Sequence, residues 1–271
     1  MTAVEARTPP MPPRLYGLLA REAPVGVLIR RGPRRLCPVY HWDLERDRIR
    51  LGQWLGGVID PKSADLSPDG RHWIYRAQVN ANGRRAAGAD CTYGEWIAVA
   101  KAGWLKALDF HVESRCVGGV LLDNSRYVIE SFRMPRQLYR HSPLTQVVAR
   151  PEAFGKTLSI PQHRDLRDGW RQVDKKRFER DLRGGWYLRK RSGGPIRDGG
   201  RDTRYSLVFP GDRTELEQDD WDWADRRGND LLYSSQGRVW RRRMLENDNW
   251  SAPTCLIDLN GTGIERRCAP H

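Results

Sequence analysis

The chain has 271 residues, enough for one large all-β domain or two smaller ones, and either buries a real core. Its net charge is +13 and Arg greatly outnumbers Lys. That balance favours an acidic partner such as a nucleic acid, an anionic lipid surface or an acidic protein. The five cysteines (Cys37, Cys91, Cys116, Cys255, Cys268) form no C-x-x-C pair, which argues against a local zinc knuckle. There is no charged-then-apolar signal stretch, and no run reaches the roughly eighteen apolar residues of a membrane span. The expected compartment is a reducing cytoplasm.

Residues 1–13 are Pro-rich and read as a disordered or extended lead-in, followed by one domain over 14–271. From there the apolar residues fall in short runs bounded by Gly, Asp, Asn and Pro, the pattern of strands and turns. Val25–Ile29, Trp54–Ile59, Trp73–Arg76, Trp96–Ala100 and Val117–Leu122 are examples. The longest helix candidate, Arg171–Leu182, is dominated by charge and predicts no more than a turn or two. Trp is unusually frequent, at 11 residues, which calls for repeated sites that bury a ring and leave its N–H near a partner.

Ser67-Pro68-Asp69-Gly70 predicts a tight hairpin: Pro suits its first corner, and Asp-Gly tolerates positive φ. Behind it His72 and Ile74 alternate with Trp73 and Tyr75. Three looser echoes follow, with turns at Asp123–Ser125, Gly184-Gly185 and Gly228-Asn229. The spacing is about 45 to 60 residues, in the range of propeller blades with variable loops. Arg164–Trp170 (RDLRDGW) and Arg180–Trp186 (RDLRGGW) repeat each other, as two hairpins of one blade or as a local duplication.

The segment DLSPDGRHWIYRA resembles the WD40-like repeat of translocation-protein-type β-propellers, whose blades carry an S-P-D-G-basic hairpin between their middle strands. That resemblance implies an all-β, small β-propeller of about five blades, with four or six possible. Val25–Trp42 and Cys255–Asn260 are read as parts of a blade that closes the ring, the C-terminal strand pairing near the N-terminus.

Motifs for chemistry are sparse. There is no phosphate-binding glycine loop, no H-E-x-x-H and no G-x-S-x-G. Gly193-Gly194 and Gly199-Gly200 read as a flexible loop. Glu215, Glu217, Asp219, Asp220, Asp222 and Asp225 crowd around Trp221 and Trp223. They form either a carbohydrate site or a solvated acidic loop, and only distances decide between the two. Between Arg164 and Arg204, fourteen Arg or Lys face seven Asp or Glu, with aromatic residues interleaved. This segment supplies the binding candidates Arg171, Lys175, Lys176, Arg177, Trp186, Arg189, Lys190 and Arg191. A second patch adds Trp240, Arg241, Arg242 and Arg243.

The expected function is a non-catalytic propeller scaffold that binds a protein partner with an acidic surface. One alternative is a nucleic-acid-associated protein using the Arg-rich segments. Another is a carbohydrate-active propeller, glycosidase or lectin. No catalytic residue, metal or cofactor is expected.

Overall fold

The computed structural model describes residues 11–32, 36–79, 94–112, 116–131, 136–147, 160–193, 203–211, 213–245 and 249–261. Most of the Pro-rich lead-in, Cys91, Cys268 and the glycine loop beyond Gly193 lie outside the described residues.

Among the described residues, twenty-one strands form five sheets, and none of these sheets closes into a barrel. Sheet I is β1 (Arg14–Leu19), β2 (Val25–Arg31), β3 (Cys37–Asp43) and β4 (Arg48–Leu55), in that order. Sheet II runs β11-β8-β7-β6-β5, with β5 (Val58–Leu66), β6 (His72–Gln78), β7 (Glu95–Lys101), β8 (Ala107–Val112) and β11 (Arg136–Arg140). Sheet III is β9 (Cys116–Leu121) and β10 (Arg126–Ser131), with the short β12 (Thr145–Val147) parallel to β10. Sheet IV comprises β13 (Arg171–Gln172), β14 (Arg177–Asp181), β15 (Tyr187–Ser192), β16 (Thr203–Phe209) and β17 (Thr214–Gln218). Sheet V holds β18 (Trp221–Arg227), β19 (Asp230–Ser235), β20 (Arg238–Arg243) and β21 (Thr254–Asp258). All other pairings are antiparallel. A single α-helix is described, α1 (Ile160–Arg167).

The expected turns connect the expected strands. Ser67–Gly70 joins β5 to β6, with Gly70 at φ 70° and its N–H bonded to the Ser67 carbonyl at 2.9 Å. The turns at Asp123–Ser125, Gly184-Gly185 and Gly228-Asn229 join β9 to β10, β14 to β15 and β18 to β19. The first hairpin also ties neighbouring sheets together. The Pro68 carbonyl accepts from the Glu22 N–H at 2.9 Å, and the Asp69 N–H donates to Asn124 Oδ1 at 2.8 Å.

The sheets pack face to face in the order III, II, I, V, IV. Ile74, Ile97 and Val99 of sheet II meet Leu121, Tyr127 and Ile129 of sheet III. Trp73 and Tyr75, on the opposite face of β6, meet Val27, Ile29 and Val39 of sheet I. Leu28 and Trp42 point the other way, onto Trp223, Leu232 and Val239 of sheet V. Trp221, Leu231 and Tyr233 then meet Phe178, Leu188 and Leu207 of sheet IV. A sheet covered on both faces needs apolar residues at successive positions, which explains why these strands read as continuous runs. The approach is close enough that a Cβ on Gly17 would sit 2.5 Å from the Trp223 ring, and one on Gly119 would sit 2.2 Å from Ile74.

The interface of sheets II and III also buries polar groups. Asp109 accepts from Tyr127 Oη at 3.0 Å and from the backbone N–H groups of His141 and Ser142 at 2.9 and 2.8 Å. His111 Nε2 lies 3.0 Å from Tyr127 Oη. Burial holds the His111 imidazole neutral, with a pKa lowered to about 4. Cys37 is buried in the sheet I–II core, its thiol pushed up to about 11 by burial, and packs as a small hydrophobe.

Two expectations are corrected. The chain ends do not share a blade by strand pairing. β21 pairs with β20 in its own sheet and the N-terminal strands form sheet I, so these two sheets join by packing. The Ser234 hydroxyl donates to the Leu15 carbonyl at 2.6 Å across that contact. The first heptapeptide, Arg164–Trp170, is the end of a helix and not a hairpin, whereas Arg171–Leu182 supplies β13 and β14.

Candidate functional site

Strands β1, β5, β16 and β18, together with α1 and the β1–β2 loop, line a cavity of about 750 Å³. Local irregularities shape its walls. The β18–β19 register shifts between Trp221 and Trp223, so these two rings enter different cores and Asp222 is the extra residue of a bulge. Asp222 is buried and lines the cavity. The β5–β6 register shifts between Asp60 and Asp65 around Pro61, a residue that cannot donate to a ladder. Arg164 takes up carbonyls in this stretch, donating to Pro61 at 3.3 Å and to Ala64.

The helix α1 starts with Pro161 in its first turn, where the missing N–H has no cost. It ends in a Schellman motif, with Trp170 N–H bonded to the Asp165 carbonyl at 2.9 Å and Gly169 N–H to the Leu166 carbonyl at 3.2 Å. Gly169 has the left-handed φ of 87° that this cap requires. Between Pro161 and Arg167 the one buried side chain is Asp165, and Leu166 is exposed. Ion pairs therefore hold this helix more than apolar packing does.

Arg167 forks onto both oxygens of Asp65, at 2.7 and 2.9 Å, and also bonds Asp168 at 2.8 Å. Burial works against the Arg167 charge, but hydrogen bonds and attraction from Asp65 and Asp168 outweigh it and push its pKa further up. Asp65 is almost wholly buried and also accepts the Leu121 N–H at 2.8 Å. On the sheet IV side, Lys190 Nζ lies 2.6 Å from Asp165 Oδ1 and 4.0 Å from the centre of the Trp170 ring. Burial lowers the Lys190 pKa, with Asp165 opposing it. Arg180 bonds Asp225 across the β14–β18 contact, and burial raises the Asp225 pKa against that attraction. Tyr16, half-buried on β1, is raised by burial, with Asp222 adding to the effect.

Of the basic candidates, Lys190 is the one inside the cavity. Lys175, Lys176, Arg177 and Arg191 gather around a shallow surface depression beside Gly193. The remaining candidates are distributed along sheets IV and V. Arg171 pairs with Glu179 at 3.0 Å, and Arg189 bridges Glu179 and Glu215 at 2.7 and 2.6 Å. Arg241 pairs with Asp47 and Arg243 with Asp230, both at 2.7 Å. Arg242 donates to the Ser251 carbonyl at 3.1 Å and lies over Trp250. Trp186 packs on Phe209 with ring centres 5.2 Å apart, and Trp240 is partly buried in the sheet IV–V core.

The acidic stretch divides. Asp219 and Asp220 are exposed in the β17–β18 turn, with Glu215 and Glu217 exposed on β17. Asp222 and Asp225 line the cavity. Sequence reasoning missed Asp65, Arg164, Arg167, Arg180 and Tyr16. The repeated heptapeptide was the available signal for two of these arginines and for Arg180, but nothing in it announces a partner about a hundred residues away, as Asp65 is from Arg167. Among the described residues no group of three or more His, Cys, Asp or Glu could hold a metal ion.

No protein-family model matches the chain, and no curated protein matches its sequence. Among solved structures it is similar to the uncharacterized protein lmo1340 from Listeria monocytogenes EGD-e, at 10% identity and a TM-score of 0.31. The match covers 89% of this chain, which spans only 64% of that protein's length. A likeness of that size identifies neither fold nor function.

Proposed function

We propose that the five sheets are the blades of an irregular, five-bladed propeller-type ring, and that the protein is a non-catalytic binding module holding its ligand in the central cavity. The observation that carries this reading is the convergence of β1, β5, β16, β18 and α1 on one space of about 750 Å³, within the size range of small-ligand sites. The serial packing of the five sheets and the WD40-like hairpin at Ser67–Gly70 support the propeller reading. In it α1 occupies the gap between sheets III and IV. The non-catalytic reading is supported by the engagement of three of the six cavity carboxylates: Asp65, Asp165 and Asp225 are each committed to a cation.

A thermal-shift screen of small polar molecules on the wild type and on Thr203→Trp, which fills the cavity wall, tests the reading. Stabilisation of the wild type that is lost in the variant is expected. A library that stabilises both equally, or neither, overturns it.

A second reading rests on the depression formed by Lys175, Lys176, Arg177 and Arg191, where the one lining carboxylate is Asp174. It fits an acidic protein surface. Binding to such a partner should weaken with salt and with Lys175→Glu plus Lys176→Glu. A nucleic acid partner would instead show a steep log-linear salt slope. Among the described residues no helix is long and apolar enough to cross a membrane.

A further inference from the structure

We infer that the ligand of the central cavity is a neutral, polyhydroxylated molecule: a short saccharide or a polyol. The inference rests on the binding-module reading above and adds the chemistry of the occupant.

Eight cationic and six anionic side chains line the cavity, so its wall is densely charged but nearly balanced. Part of this charge is also neutralised locally. Arg167 is matched by Asp65 and Asp168, Lys190 by Asp165, and Arg180 by Asp225. Arg226 donates to the Gly228 and Asp181 carbonyls, both at 2.7 Å. A charged ligand seated at one of these partly buried pairs would break it and leave an uncompensated charge behind. A neutral ligand leaves the pairs intact.

The hydrogen-bonding capacity of the wall is still large. A carboxylate has about four acceptor sites and a guanidinium five N–H donors, more than these pairings use. The bonds from Arg180 and from the Arg226 N–H both reach Oδ1 of Asp225. A wall on which donors and acceptors alternate over short distances suits a ligand whose every group both donates and accepts. Hydroxyls do this, and adjacent hydroxyls can bridge a carboxylate and its guanidinium partner. The aromatic groups narrow the geometry. Lys190 covers Trp170, and the Trp223 ring lies against Gly17. Half-buried Tyr16 is left as the ring for one sugar face, with Asp222 close enough to influence its ionisation.

Calorimetric titration tests the inference with neutral tri- and tetrasaccharides of glucose, xylose and mannose, with mannitol, and with inorganic phosphate and citrate as anionic comparators. Each is measured at low and high NaCl. At least one neutral probe should bind, with affinity changing less than about twofold with salt. Asp222→Asn should weaken that binding by about tenfold or more, the usual scale for a lost hydrogen bond to a charged group. Tyr16→Phe keeps the ring and the packing, so it extends the test if Asp222→Asn does not fold, and it should weaken binding by a smaller factor. Neutral-probe binding untouched by both variants would overturn the inference. Binding of phosphate or citrate alone, falling steeply with salt, would also overturn it while leaving a cavity-binding module in place. Binding of no probe here, together with stabilisation by some other compound in the thermal-shift screen, would overturn the saccharide assignment alone. Failure of both experiments removes the function reading with it.

Discussion

The heptapeptides RDLRDGW and RDLRGGW differ at one position, yet they fold differently and do different work. In the first, Arg164–Arg167 closes a helix, and its period turns Arg164, Arg167 and Asp168 toward sheets I and II. In the second, Arg180 and Asp181 end a strand and Gly184-Gly185 makes the turn, both at positive φ. Leu166 is exposed in the first, while the equivalent Leu182 is buried. Arg167 is locked onto Asp65, while Arg183 stands exposed. Even the tryptophans part: Trp170 lies under Lys190 at the cavity, and Trp186 packs on Phe209 at the far end of sheet IV. Tertiary partners decide both the conformation and the role, and local propensity is only a weak prior.

Replacing the arginine in each copy should give the largest contrast. Arg167→Gln leaves Asp65 buried without its cation and should cost about 3–5 kcal/mol in denaturant unfolding. Arg183→Gln, at an exposed position, should stay within about 0.5 kcal/mol. Equal effects would erase the distinction between the copies.

Acid should act on a third region first. His111 is neutral in the fold with a pKa lowered to about 4, against an unfolded value near 6.5. The unfolded chain therefore takes up the proton more readily. Stability is full above about pH 6.5 and is lost as pH falls toward 4, by up to roughly 3 kcal/mol from this group. His111→Gln should flatten that part of the stability profile, whatever it costs overall. An unchanged profile would show that acid acts elsewhere.

Smaller still is the exchange of the one differing residue. Asp168→Gly makes the copies identical, yet α1 should persist on its remaining pairs at a cost of about 1 kcal/mol in helix propensity and ion pairing. Gly184→Asp should cost about as much, because Asp tolerates the left-handed region better than most residues. Loss of helical circular dichroism in Asp168→Gly would mean that the local sequence decides after all.

The contrast also explains what could be read from the sequence. Short apolar runs and Gly- or Asp-rich turns are local signals, and they predicted the all-β class and the hairpin at Ser67–Gly70. The continuous runs in β2 and β6 reflected burial on both faces. The cavity was not legible. Its pairs Arg167–Asp65, Lys190–Asp165 and Arg180–Asp225 join residues that are neutral bystanders in any local window. The dense charge of Arg164–Arg204 drew attention to the right stretch, but as an exposed basic surface. Much of that charge is instead spent on internal partners such as Glu179, Asp165 and Asp225.

In the proposed reading α1, held by ion pairs, closes one side of the cavity. Native-state hydrogen exchange of the amides from Arg164 to Trp170 tests it most directly. These amides should be protected nearly as well as those of β15, and Arg167→Gln should strip that protection while β15 keeps its own. Rapid exchange of this segment in the wild type, or protection that survives Arg167→Gln, would show that the ion pairs do not hold α1 against the sheets.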